Sequence, residues 1–196
     1  MYRKTMTAAA LALLASGAGF LAFNRALPAS DVPAAGSNFS IKVDLSDRQL
    51  YVLRNGEVSG TYSVAVGAPG FPTPKGSYTV KRIVWNPRWV PPDSKWARDK
   101  IAREPGDPKN PMGKVKIFFR EPDYYIHGTR EVDSLGQAES HGCIRMRNSE
   151  VVALARLVMT QGGVGKPDSW FQRVVNRVRS TQSVRLAQPV SVQITA

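Results

Sequence analysis

Cysteine is nearly absent from this chain: there is one, Cys143, in 196 residues. That excludes an intramolecular disulfide, a four-cysteine zinc site and a CxxC redox pair. Histidine is almost as scarce. His127 and His141 are the only two, which leaves little room for a histidine-rich metal centre. Acidic residues are short against basic ones, 15 to 27, giving a net charge of +12. No internal repeat appears. What is present is a 42% hydrophobic fraction, too high for a disordered polyelectrolyte, so a packed core is expected. The length suits one domain, or one domain with a short appendage.

Charge is also missing from Thr7 to Phe23. Tyr2-Arg3-Lys4 precedes that apolar run, and the small, turn-prone segment Asn24 to Ser30 follows it. Basic, apolar, small is the order of a secretory signal, with cleavage after Ala29. The run also approaches the ~20 residues of a membrane span, so an uncleaved N-terminal anchor is the alternative. Either reading exports the remainder to the periplasm or cell wall, with the basic start left inside. Arg3, Lys4 and Arg25 account for three of the +12, leaving +9 on the exported part. A basic exported domain is drawn to an anionic surface such as cell-wall polymer, anionic lipid or an acidic peptide. Nucleic acid is a poor candidate there.

Residues 31–38 (DVPAAGSN) read as a linker, and 39–196 as the folded domain. Ile41, Val43 and Leu45 alternate with polar residues, as in a half-buried strand. Leu50 to Leu53 reads as a second strand. Asn55-Gly56 is a hairpin turn, because both central positions need positive φ. Tyr62, Val64 and Val66 continue a third strand, and Ser77 to Trp85 forms a fourth. Gly67 to Gly76 is a loop with three prolines and three glycines. The middle, from Asn86 to Gly113, is irregular, with one or two helical turns over Trp96 to Ile101. Loops of this length in a compact domain are usually functional or disordered, and the Trp residues here argue for packed ones. Val115 to Phe119 and Tyr124 to His127 follow as strands. A helix starts after Met146, capped by Asn148 or Ser149, and stops at Gly162-Gly163. Ser169 to Val178 suggests a second helix, and Val184 to Leu186 or Val190 to Ile194 a terminal strand. The class is mainly β, a sandwich-like mixed sheet with one or two short helices.

Both histidines and the cysteine fall in YIHGTREVDSLGQAESHGCIRMR, residues 125–147. A thiol nucleophile needs a basic group close by, and an imidazole is the usual one. It also needs backbone N–H groups facing the developing oxyanion. Gly142 beside Cys143 suits such a hole. His141, two residues from Cys143, and His127, on a separate strand, are both candidate bases. Spacing alone leaves the choice open. Arg145 can hold a substrate carboxylate by paired hydrogen bonds or stand as a plain surface charge. Ser140 can orient a histidine or merely turn the chain. A zinc site from His127, His141 and Cys143 is a rival, though its spacing fits no short zinc signature.

Ile126-His127-Gly128-Thr129 followed by Ser140-His141-Gly142-Cys143-Ile144-Arg145-Met146 resembles the signature of the L,D-transpeptidase catalytic domain of bacterial cell-wall enzymes. Ile41 to Leu53 resembles the family's opening hairpin. Gly67 with Pro72 to Gly76 resembles its VG…TPxG segment. Asn86-Pro87, Pro91-Pro92 and Gly106 to Gly113 resemble its substrate-side loops. The likeness runs over about residues 39–147, with 148–196 supplying the last helices and strand.

The resemblance implies a mixed β-sandwich with the cysteine in a groove under a flexible loop. It implies Cys143 as nucleophile and His127 as general base and acid. His141 would line the site, Gly128 would orient His127 through its backbone, and Gly142 and Cys143 would supply oxyanion amides. Arg145 would position substrate. The donor would be a peptidoglycan tetrapeptide stem, losing its terminal D-Ala to form a thioester. The acceptor would be an amine of a second stem or of an envelope protein. No metal and no organic cofactor is implied, and carbapenems would acylate the thiol. The alternatives are a hydrolase of the same bond and a non-catalytic wall-binding module.

Overall fold

The computed structural model of the chain describes residues 38–177 and 179–196. The expected signal or anchor, residues 37 and below of the linker region, and Val178 of the expected second helix lie outside the described residues. Among the described residues, no helix is long and apolar enough to cross a membrane.

Alternation of apolar and polar side chains sets the sheet. β1 (Phe39–Asp44) and β2 (Gln49–Arg54) pair antiparallel, burying Ile41, Val43, Leu50 and Val52 from one face. β3 (Glu57–Ser63) follows a turn in which Asn55 and Gly56 have φ of 52° and 83°, as that turn type requires. The third strand then breaks, and β4 (Val66–Gly67) leaves to pair with β8 (Ala138–Ser140) in a separate two-stranded sheet. β5 (Gly76–Trp85), β6 (Val115–Arg120), β7 (Tyr124–Thr129) and β9 (Ile144–Arg147) extend the main sheet on its far side. The terminal strand, expected at Val184 to Leu186 or at Val190 to Ile194, spans both stretches as β10 (Gln182–Thr195), with an irregularity between Arg185 and Val190. Pro189 lies there and has no N–H to give a ladder. The amides of Ala187 and Gln188 turn out of the ladder to the Gly162 carbonyl, at 2.9 and 3.0 Å. β10 joins the halves, running parallel to β1 and antiparallel to β5. The order is β3-β2-β1-β10-β5-β6-β7-β9.

α1 (Asn148–Gln161) covers one face of this sheet. Its stripe of Val151, Leu154, Ala155 and Val158 is fully buried and joins Ile83, Ile117, Ile126 and Ile144 in one core. α2 (Asp168–Asn176) adds Phe171 and Val174, with Trp85 packed edge-on to Trp170 at 5.9 Å. Because Ile126 and Ile144 point into the core, their neighbours Tyr125, His127 and Arg145 point to the opposite face. The functional side chains therefore share the face that α1 does not cover.

The start of α1 departs from expectation. Neither Asn148 nor Ser149 caps it; Arg147 holds the cap position and makes no side-chain cap bond. Asn148 is used for something else. Its Oδ1 accepts from the Lys114 N–H at 3.0 Å, and its Nδ2 donates to the Thr129 carbonyl at 2.9 Å. A Cβ on Gly128 would lie 2.2 Å from that Oδ1, so the glycine makes room for the brace. Asn148→Ala would strand a carbonyl and an amide in a partly buried place. It is expected to cost about 2 kcal/mol, read as a fall of roughly 4–8 °C in a thermal melt.

Candidate active site

His127 sits near the end of β7 and is 3% exposed. Its Nδ1 lies 2.8 Å from the Gly128 carbonyl. A carbonyl only accepts, so Nδ1 carries the proton and Nε2 keeps its lone pair. Burial drives the imidazole pKa down to about 3. The Gly128 and Pro111 carbonyls oppose this shift, while the charges of Arg145 and Lys116 reinforce it. The ring is therefore neutral at ordinary pH.

Cys143 comes one residue before β9, in the bend that follows β8. β7 and β9 run parallel with His127 opposite Arg145. Two residues back from Arg145 on an extended chain, Cys143 falls on the same face, beside Tyr125. Its thiol donates to the Asp123 carbonyl at 3.3 Å. Burial pushes the thiol pKa up to about 11. The Tyr125 N–H, the Lys116 charge, the Tyr125 hydroxyl and the Arg145 charge each favour the thiolate, without overcoming burial.

The bend is held by Ser140 rather than by a histidine. Its hydroxyl donates to the Cys143 carbonyl and accepts from the Gly142 N–H at 3.1 Å. Arg145 Nη1 pairs with Glu131 at 2.7 Å. His141 is held by aromatic rings. It is stacked on Trp96 at 3.8 Å and 19°, and meets Phe71 on another side at 4.5 Å. Trp96 belongs to a 3₁₀ turn, Lys95–Ala97, shorter than the expected helical turns. The long middle segment carrying it is pinned rather than loose. Trp89 and Arg103 exchange backbone bonds of 2.9 and 2.8 Å, and Asn110 Nδ2 reaches the Pro87 and Glu104 carbonyls at 2.9 and 3.1 Å.

These parts enclose one open groove of about 1160 Å³. Cys143, His127, His141, Ser140 and Arg145 all line it, while Gly128 and Gly142 support it from behind through their backbone. Tyr125 and Lys116 also line it, although no motif points to either. Their signal was available in the alternation: Lys116 lies between the buried Val115 and Ile117, so it had to face the other side.

A neutral thiol sharing one groove with a neutral imidazole gives a definite pH signature. Folding raises the Cys143 pKa, so the thiolate grows in only as pH climbs toward about 11. Alkylation by iodoacetamide is expected to rise about tenfold per pH unit from mildly acidic to mildly alkaline buffer. A plateau between pH 5 and 8 would instead reveal a preformed thiolate–imidazolium pair.

The mixed sheet that carries this groove is a fold already seen in an L,D-transpeptidase. The catalytic domain of the Enterococcus faecium L,D-transpeptidase superposes with a TM-score of 0.50 at 17% identity, covering 82% of this chain and 98% of that one. The family model of the YkuD L,D-transpeptidase catalytic domain matches residues 38–181, and the chain belongs to that family. YqjB of Bacillus subtilis is 33% identical over 144 residues, which are 71% of this chain and 76% of YqjB. YkuD of Bacillus licheniformis is 31% identical over 120 residues, 61% of this chain and 60% of its own. Both are named, provisionally, as L,D-transpeptidases.

Proposed function

We propose that this chain is an exported peptidoglycan L,D-transpeptidase with Cys143 as nucleophile and His127 as general base and acid. The observation that carries the reading is the placement of both on one sheet face and one groove, with Nδ1 of His127 committed to the Gly128 carbonyl. Nε2 is then the nitrogen left for the thiol proton. The thiolate forms as Sγ attacks the carbonyl preceding the terminal D-Ala of a tetrapeptide stem. The Gly142 N–H is spent on Ser140, which leaves the Cys143 N–H as the amide that meets the oxyanion. As the tetrahedral intermediate collapses, the C–N bond breaks and His127 gives its proton to the departing D-Ala nitrogen. The acyl group stays on sulfur as a thioester. An acceptor amine, from a second stem or an envelope-protein lysine, loses a proton to His127, attacks the thioester and returns the thiol. The reaction takes no metal and no organic cofactor. The Trp96–His141 stack forms part of the groove wall.

Residues 1–30 serve as the export signal or membrane anchor, and the +9 of the remainder suits an anionic wall. The test incubates purified protein with a tetrapeptide stem, with and without a second stem as amine acceptor. D-Ala release with a cross-linked product is the expected result. D-Ala release with tripeptide alone, even with acceptor present, would assign hydrolysis. No release at all would leave only the wall-binding reading.

A further inference from the structure

The sheet face that carries His127 also carries Arg82 on β5, Lys116 on β6 and Arg145 on β9, and both of these arginines are paired. Arg145 pairs with Glu131 at 2.7 Å. Arg82 pairs with Glu121 at 2.8 Å and lies over the Phe118 ring at 4.1 Å. Lys116 differs. Among the described residues it has no carboxylate at ion-pair distance, and its ammonium lies 4.4 Å from the centre of the Tyr125 ring. A partly buried ammonium without a counter-anion is unfavourable to the fold. Burial brings its pKa down to about 8, helped by Arg82 and opposed by a Cys143 thiolate. It is still mostly protonated at neutral pH. Cations held in this way in a cleft are candidates for ligand contact.

Its place in the ladder says which ligand group it meets. Lys116 is the direct partner of His127 across β6 and β7, so the two side chains stand side by side. Both line the groove with Cys143. In the reaction proposed above, His127 protonates the nitrogen of the leaving amino acid. The carboxylate of that amino acid is two covalent bonds from the same nitrogen. A cation next to His127 therefore stands where a free C-terminal carboxylate arrives, on the leaving-group side of the thiol.

We propose that Lys116 binds the C-terminal carboxylate of the acyl donor and thereby restricts cleavage to the last peptide bond of a stem. This rests on the functional reading above and adds its specificity determinant. Arg145, the residue the motif suggested for substrate, is tied to Glu131 on the other flank of His127. The aromatic floor from Tyr125 holds the ammonium in place until a carboxylate replaces that contact. An internal peptide bond would put no anion beside Lys116, and a longer chain would leave the ammonium unpaired under bound substrate.

The experiment compares one tetrapeptide donor as the free acid and as the C-terminal carboxamide, with kcat/KM measured for each. The ratio cancels any effect of Lys116 on the thiol itself. The wild-type protein is expected to prefer the acid by about 10- to 100-fold, the range of a hydrogen bond to a charged group. Lys116→Met, which keeps the aliphatic stem, is expected to bring the ratio close to one, mainly through KM for the acid. Lys116→Arg keeps the charge and retains a preference for the acid. Thermal melts and Cys143 alkylation establish that each variant is folded with its thiol in place. A ratio that survives Lys116→Met, whatever the absolute rates, overturns the assignment, and so does a wild-type ratio near one. Turnover of neither peptide by the wild-type protein overturns the functional reading itself, and the assignment with it.

Discussion

Cys143→Ala is expected to remove acyl transfer altogether, a loss of at least about 10⁴-fold, while leaving the protein folded. The side chain is small and half-buried, and its thiol makes only a weak bond to the Asp123 carbonyl at 3.3 Å besides its contacts with Tyr125. Truncation at Cβ therefore disturbs little packing. No other cysteine exists in the chain to take over. Cys143→Ser makes a sharper comparison. The hydroxyl fits the same space but ionises far less readily than a thiol, so His127 cannot drive the attack. Both variants are expected to lose D-Ala release, and neither is expected to gain mass from a carbapenem. Activity in the alanine variant above a hundredth of wild type would remove the thiol from the mechanism.

His127→Gln is expected to lower kcat by about 10²- to 10⁴-fold at neutral pH, the usual worth of a positioned base. The deficit is expected to shrink as pH rises. With the thiol pKa near 11, each added pH unit supplies about tenfold more thiolate from solvent, and a variant without its own base gains the most. The same substitution reports on acid stability. Burial holds the native imidazole pKa near 3, well below that of an unfolded histidine. Between those values the unfolded chain binds the proton and the native one does not. Stability contributed by the neutral ring is thus present above about pH 6.5 and lost as pH falls toward 3. Without the imidazole, unfolding over that window is expected to be less steep in pH. If His127→Gln keeps near-normal turnover, the base must be the other groove histidine, His141.

The parts of the molecule legible in the sequence are those specified by short-range rules. Alternation gave β1, short apolar-rich runs gave β2 and β5, and the need for positive φ at Asn55 and Gly56 gave the turn into β3. The cysteine and both histidines stood out because they are scarce and clustered. What could not be read depends on contacts between distant segments. The β4–β8 pair joins two short stretches some seventy residues apart, with no periodicity of its own. Asn148 looks like a cap residue locally, yet its amide is drawn off by Lys114 and Thr129. His141 looks like a base beside Cys143, yet two aromatic rings from separate loops hold it. Lys116 draws no notice in a chain with 27 basic residues until the register sets it beside His127. The terminal strand could be placed only at one stretch or the other, because Pro189 interrupts the pattern where the backbone bulges.

The most direct measurement follows intact mass in the first turnovers, with protein at concentrations comparable to a tetrapeptide stem and no amine acceptor. The expected spectrum shows one acyl-tripeptide added to the protein, mapped by peptide digestion to Cys143, in step with one equivalent of free D-Ala. The added mass is then expected to disappear on supplying the amine, as cross-linked product forms. D-Ala released by a protein whose Cys143 stays unmodified throughout, with the same release from Cys143→Ala, would contradict covalent catalysis at this thiol.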